Sequence, residues 1–389
     1  MPALTLYFQV HQPFRIKRFS YFDIGTQATY FDEVLNRAIM QRVAERCYIP
    51  VNSVLLDLIH RFQGKFKVSF SLSGVAIEQM RLYAPKALES FRALNATGCV
   101  EFLGETYYHS LASLFHEAEF EEQVRLHREV MRAEFGVEPQ VFRNTELIYA
   151  DVLAARIASL GYRAVFAEGV GTVLGWRSPH HFYRSPYADL AIFLRDYNLS
   201  DDIAFRFTHE SPLGERLSPE LYASRLCALS DSAHYAGIFM DYETFGEHLS
   251  TETGIFDFMD RLPGTVLERG DWCFATPSEL LSRTQDVGLL SVPELTSWAD
   301  SERDVSAWNG NEMQRAALQE LYALAQRARQ VGGEMLDVWR KLQSSDHVYY
   351  MSTKSQGDGV VHEHFSHFES PYRAFIAYRN VLADLTQRL

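Results

Sequence analysis

The sequence predicts an α/β protein in which a parallel sheet covered by helices is followed by a purely helical domain. Three observations carry that expectation. Strand-like and helix-like segments alternate over about two hundred and eighty residues. The 389 residues exceed a typical single domain but match one α/β barrel plus an appendage, and 47% hydrophobic residues suffice for a large core. From Asn311 onward the strand signals cease and only helical patterning remains. A barrel and a doubly wound sheet satisfy the alternation equally well.

The bulky, β-branched run from Leu4 to Val10 opens the chain as a strand. Val34, Leu35, Ile39 and Val43 recur at helical spacing, as do Val54, Leu55, Leu58, Ile59 and Phe62. Strands are expected at Phe66–Leu72, Val100–Leu103, Gln140–Asn144, Ala164–Ala167, Ala191–Leu194, Tyr235–Met240 and Trp272–Ala275. Helices are expected at Val75–Leu94, at Glu117–Phe135 with Gly136 as its stop, and at Ala150–Leu160 with Gly161 as its stop. Ser218-Pro219-Glu220 and Thr276-Pro277-Ser278-Glu279 start two more, each with a capping hydroxyl and Pro at the first helical position. Residues 311–345 read as one or two long helices, Ser355–Gly359 as a loop, and Ser370-Pro371 caps a last helix. The expected division is a catalytic domain over 1–295 and a helical bundle over 296–389.

Charge and cysteine usage exclude several classes. A net charge of −13, with only Arg15-Ile16-Lys17-Arg18 as a basic cluster, argues against a nucleic-acid or anionic-membrane partner. Four widely spaced cysteines (Cys47, Cys99, Cys227, Cys273) fit reduced thiols better than a disulfide framework or a zinc ribbon. With no signal peptide and no membrane-length apolar run, the expectation is a soluble cytoplasmic protein whose oligomeric state stays open. No phosphate-binding glycine loop and no nucleophile-elbow serine appear, and no cofactor is expected.

The polar clusters fall where expected strands end, the side of a parallel α/β fold that builds active sites. They are His11-Gln12-Pro13, Glu105 with Tyr107-Tyr108-His109, Arg143-Asn144-Thr145-Glu146, and Asp241-Tyr242-Glu243. Beside Arg143, Glu146 could stay ionised as a glycosidase nucleophile must; a Glu serving the dipole of the next helix fits the spacing as well. Asp241 ends an apolar strand, where desolvation or a neighbouring carboxylate raises a pKa and suits a general acid. An acidic loop capping the next helix is the alternative. Glu243, two residues on, would point the same way along a strand. His11 lacks metal-ligand spacing, and so do His109, His116, His248, the pair His180-His181 and His362-Glu363-His364; no metal is expected, and a sugar hydroxyl is the better partner for His11. Trp176, Tyr242, Trp298 and Trp308 lie in polar contexts suited to stacking on sugar rings.

In this order and spacing the motifs resemble glycoside hydrolase family 57. His11-Gln12-Pro13 corresponds to the family's first region, and the segment from Val100 to His109 to its second. Phe142-Arg143-Asn144-Thr145-Glu146 resembles the third, which carries the nucleophile, and Asp241-Tyr242-Glu243-Thr244-Phe245-Gly246 the fourth, whose Asp is the acid/base. Trp298-Ala299-Asp300-Ser301-Glu302-Arg303-Asp304 resembles the fifth. The resemblance implies an incomplete (β/α)7 TIM-like barrel with a C-terminal helical domain, acting with retention and without metal on α-1,4 and α-1,6 glucans. The short chain favours the compact α-amylase-like subgroup.

The implied activity is hydrolysis of starch- or glycogen-type glucans or maltooligosaccharides. Glu146 and Asp241 would be catalytic, while His11, Gln12, Glu105, Tyr108, His109, Arg143, Trp176, Tyr242, Glu243, Trp298, Asp300 and Asp304 would bind substrate. A 4-α-glucanotransferase or a branching enzyme would use the same two carboxylates. A catalytically idle glucan-binding protein would not need both, and a metal-dependent deacetylase would need His–Asp ligand spacing that is missing.

Overall fold

A computed structural model describes residues 1–26, 29–210, 214–229, 231–354 and 366–389. The expected loop Ser355–Gly359 and the motif His362-Glu363-His364 lie outside the described residues. Among the described residues nine strands form two sheets. In the first, β1 (Ala3–Val10) lies between β2 (Val68–Leu72) and β8 (Tyr235–Asp241), β3 (Val100–Phe102) flanks β2, and β9 (Cys273–Phe274) pairs with the start of β1; every pairing is parallel. In the second, β4 (Val141–Phe142), β5 (Ala164–Glu168) and β7 (Ala191–Arg195) run parallel, and β6 (Tyr183–Arg184) adds an antiparallel edge. The sheets adjoin where Gly104 bridges Phe142 and where the Asp196 N–H donates to the Gly237 carbonyl, 2.8 Å.

Side-chain alternation along β1 explains both its layers. Leu4, Leu6, Phe8 and Val10 point to covering helices, whereas Ala3 and Tyr7 pack between the sheets with Phe166, Phe193 and Phe239. Both faces are buried, as parallel sheets require. The inner face then turns polar. Tyr7 donates its hydroxyl to Gln9, and the Gln9 amide donates to Glu105, so a hydrogen-bonded layer separates the aromatic core from the strand ends.

The expected helix over Val75–Leu94 is two helices, Gly74–Tyr83 and Pro85–Ala96. Pro85 lacks an N–H, and its ring disfavours helical geometry at Ala84, which adopts φ −145°, ψ 58°. The region after Asn311 forms Glu312–Ala323, Ala325–Val331, Gly333–Lys341 and Ser345–Tyr349, with Gly332 in the left-handed region as one breaker. Ser370 caps the last helix, Pro371–Arg388, as expected. Ile16, Phe19 and Tyr30 from the chain's start share a core with these C-terminal helices, including Trp339, Tyr378 and Leu382. No helix among the described residues is long and apolar enough to cross a membrane.

Candidate active site

The four sequence clusters converge at the ends of β1, β3, β4 and β8: His11 stacks on His109, His109 faces Glu146, Gln12 donates to Glu243, and Asp241 lies in register with Gln9. The Arg143 backbone is paired to Gly104, and the chain then turns sharply through 145–147, with Glu146 at φ 56°, ψ 26° and Leu147 also at positive φ. Six non-glycine residues among those described have positive φ, and five of them (His109, Glu146, Leu147, Asp300, Arg303) belong to site segments. Left-handed backbone costs about 1–3 kcal/mol per residue and persists where surrounding contacts enforce it.

Each Glu146 oxygen is held. Ser345 Oγ donates to Oε1 at 2.7 Å, His109 Nε2 lies 3.4 Å from the same oxygen, and the Trp298 indole N–H donates to Oε2 at 3.0 Å. Burial pushes the Glu146 carboxyl up, but His109 and the Arg143 guanidinium outweigh it and hold the group at about 2. Arg143 is fully buried and stacks on the Trp298 ring, 4.4 Å from the centroid.

His109 is bracketed by two carboxylates, with Nδ1 2.9 Å from Glu105 and Nε2 facing Glu146. Carboxylates only accept, so both ring nitrogens must carry protons and the imidazole is a cation. Burial opposes that charge, yet the Glu105 and Glu146 contacts raise its pKa to about 9. His11 stacks on it with centroids 4.0 Å apart. Its Nε2 donates to Asp346 at 2.8 Å, leaving Nδ1 to accept from Ser73 at 2.7 Å, the neutral tautomer. Burial and the adjacent His109 cation lower its pKa.

A stability prediction follows from His109. A folded pKa raised from 6.5 to about 9 gives stabilisation present below about pH 6.5 and lost as pH rises through about 9. We expect about 3 kcal/mol of pH-dependent stability over that window. Denaturant unfolding at pH 6 and pH 9.5 should show it in the wild type and a much smaller difference in His109→Gln.

Asp241 ends β8. Desolvation and then the Glu146 charge raise its pKa to about 6. Glu243, in the 3-10 turn that follows, accepts from the Tyr48 hydroxyl and from Gln12 Nε2, and burial followed by the Asp241 charge lifts it to about 8. The motif's Gly246 sits at φ 102°, and a Cβ there would come within 2.0 Å of the Arg46 carbonyl, so the turn that follows these acids admits only glycine.

Several expected binding residues stand elsewhere. Tyr242 is fully buried with its hydroxyl on Asn52 and its ring against Phe8, Phe70 and Phe91; β8 ends at Asp241, and the 3-10 turn over Tyr242–Thr244 leaves this ring in the core, so it cannot stack on a sugar. Trp308 is likewise core, beside Ile148 and Leu318. Tyr108 packs on Phe14 and Val75 and donates to Asp337. Asp300 pairs with Lys354, and Asp304 accepts from Ser306 N–H, so both organise their own loop. Trp176 is 89% exposed beside Arg177 and outside the cluster. His109 and Glu105 are occupied by each other, which makes them supports of Glu146. Conversely, Ser345 and Asp346 were not anticipated. They straddle the end of the expected helical region 311–345, in a polar run that carries no periodic signal, and only the fold brings them to His11 and Glu146. Among the described residues no group of three or more His, Cys, Asp or Glu side chains is arranged to hold a metal ion.

Residues 5–293 match the sequence family described as Glycosyl hydrolase family 57. A Methanocaldococcus jannaschii protein named "Putative alpha-amylase" is 40% identical over 398 residues, covering 98% of this chain and 83% of that protein. Among solved structures, 4-alpha-glucanotransferase from Thermococcus litoralis superposes with a TM-score of 0.71 at 15% identity over 97% of this chain, which spans 60% of that one. The alpha-amylase AmyC from Thermotoga maritima gives 0.63 at 13% identity, covering 100% of this chain and 98% of that one. At these identities the structural likeness concerns the α/β fold.

Proposed function

Since the chain belongs to glycosyl hydrolase family 57, we propose that it hydrolyses α-1,4-glucosidic bonds of starch- or glycogen-type glucans with retention, Glu146 acting as nucleophile and Asp241 as acid/base. The observation that carries this reading is the opposed tuning of the two carboxyl groups: Glu146 held at about 2 and Asp241 lifted to about 6, in part by the Glu146 charge. One acid poised to attack and one poised to donate a proton is the division of labour that retaining glycoside hydrolysis needs.

In the first step Glu146 attacks the anomeric carbon while Asp241 gives its proton to the departing oxygen. The covalent ester that forms cancels the Glu146 charge, which is one cause of the raised Asp241 pKa. Asp241 therefore becomes the stronger acid and stays ionised, ready to take a proton from the incoming water. His109, Arg143 and Trp298 keep Glu146 ionised and oriented, and His11 with Asp346 and Glu243 with Gln12 present polar groups to sugar hydroxyls.

The same tuning fixes the pH profile. Glu146 must be ionised and Asp241 protonated, so kcat/KM should be flat between about pH 3 and 5 and fall above about pH 6. Glu243 couples to Asp241, so the alkaline limb belongs to the pair. A profile rising through pH 7 would contradict the acid role of Asp241.

We read seven of the eight parallel strands, β3-β2-β1-β8 and β4-β5-β7, as an incomplete (β/α)7 barrel over 1–295, with β9 paired to the start of β1 and the helical domain over 296–389. The two inter-sheet contacts support this reading. Cys47, Cys99 and Cys273 are free thiols, which supports a cytoplasmic setting. Incubation with maltoheptaose tests the activity. Shorter maltooligosaccharides with new reducing ends, absent with Glu146→Gln, are the expected result. Products longer than the substrate without new reducing ends would replace hydrolysis by transfer, and unchanged substrate would remove the reading.

A further inference from the structure

Two arginines and two carboxylates form a closed, buried quartet beside the site, at the ends of β5 and β7. Arg195 contacts Glu168 at 3.1 Å and Asp201 at 2.5 Å. Arg303 contacts the same two acids at 3.2 and 3.1 Å through its two terminal nitrogens. Side-chain exposure is 0% for Glu168 and 3% for Arg195. Two cations and two anions cancel, so removing one leaves an uncompensated buried charge. The quartet also reaches the catalytic strands: Arg195 Nε donates to the carbonyl of Phe239, two residues before Asp241.

Arg303 differs from Arg195 in lying on the loop that carries Trp298. That loop is closed by Ser297 N–H donating to the Arg303 carbonyl, and Arg303 itself sits at φ 55°. Arg303 Nη1 also donates to the Trp298 carbonyl at 3.1 Å. One guanidinium thus joins the buried acids to the residue whose indole N–H rests on Glu146 Oε2. Resting on the nucleophile assignment above, we propose that Arg303 is a positioning residue for Glu146, anchoring the 297–304 loop on Glu168 and Asp201 so that Trp298 is held against the nucleophile.

The groups facing Glu146 are His109 from the loop after β3, Arg143 from β4, Asp241 from β8 and Asp346 from the C-terminal helices. Arg143 also stacks on the Trp298 ring, and Trp298→Phe keeps a ring there while removing the N–H, so loss of the Trp298 hydrogen bond has a signature of its own. The test uses Arg303→Met, Arg303→Lys, Trp298→Phe and the Arg303→Met/Trp298→Phe double variant. The first readout needs no substrate: the 15N-indole spectrum of the five tryptophans, with Trp298 assigned as the resonance missing in Trp298→Phe. In the wild type that N–H should be slow to exchange and should move when Glu146 is neutralised in Glu146→Gln. In Arg303→Met it should exchange at least about tenfold faster, with Arg303→Lys between the two, because an ammonium keeps the charge but cannot span both acids and a carbonyl.

The second readout is kinetic. Arg303→Met and Trp298→Phe should each raise the acid limb of kcat/KM by about one pH unit. The double variant should lose no more than the worse single one. An unchanged Trp298 resonance in folded Arg303→Met, or multiplying kinetic losses with no shift of the acid limb, would overturn the proposal. Should Arg303→Met fail to fold, the Trp298 resonance in Arg303→Lys decides, and a wild-type-like exchange rate there counts against it. A wild type inert on maltoheptaose would sink the hydrolase reading while the indole readout still judged the anchor.

Discussion

Glu146→Gln is expected to lose at least about four orders of magnitude in kcat on maltoheptaose while folding normally, because deleting a nucleophile removes the covalent route altogether. Glutamine is isosteric, and with its one carbonyl oxygen accepting from the Trp298 indole its amide nitrogen can donate to the Ser345 hydroxyl, so the turn through 145–147 is preserved. It cannot neutralise His109, whose second nitrogen then faces an amide. Two secondary effects should accompany the loss. The His109 pKa should fall, since one of its two carboxylate partners is gone, and that of Asp241 should fall, since the Glu146 charge helps to raise it. Both shifts are readable by NMR titration without turnover. Retained activity within about tenfold of wild type would remove Glu146 as nucleophile.

Asp241→Asn should lose about 10²- to 10⁴-fold on maltooligosaccharides, the range of a lost general acid. The deficit should depend on the leaving group. A maltosyl fluoride departs without protonation, so its first step should proceed nearly as in the wild type, and glycosyl-enzyme should then accumulate because no base activates water. Azide, which needs no base, should restore turnover and yield the glycosyl azide. A loss equal on both substrates, with no azide effect, would assign Asp241 a structural part.

How much of this was legible in the sequence depends on the range of the signal. Local periodicity located the strands from Leu4 to Ala275 and so the ends on which Glu146 and Asp241 sit. Breaks such as Ala84–Pro85 and Gly332 were also local and could have been drawn from the Pro and Gly themselves. Tyr242 shows where a local rule stops: the strand ends at Asp241, and the 3-10 turn over Tyr242–Thr244, which strand alternation does not describe, leaves the Tyr242 ring in the core. Ser345 and Asp346 were beyond local reading. They lie about two hundred residues from Glu146 in sequence, and nothing in Gln343-Ser344-Ser345-Asp346 distinguishes ligands of His11 and Glu146 from a solvated helix end. The Arg195–Arg303 quartet was hidden for the same reason, since each member alone reads as a surface charge.

Trapping the intermediate tests the central claim most directly. Asp241→Asn incubated with maltosyl fluoride, quenched in acid, digested and mapped by mass spectrometry should show a maltosyl ester on the peptide containing Glu146, absent when Glu146→Gln is added. An ester on another carboxylate, or no ester together with release of the inverted anomer, would contradict the account.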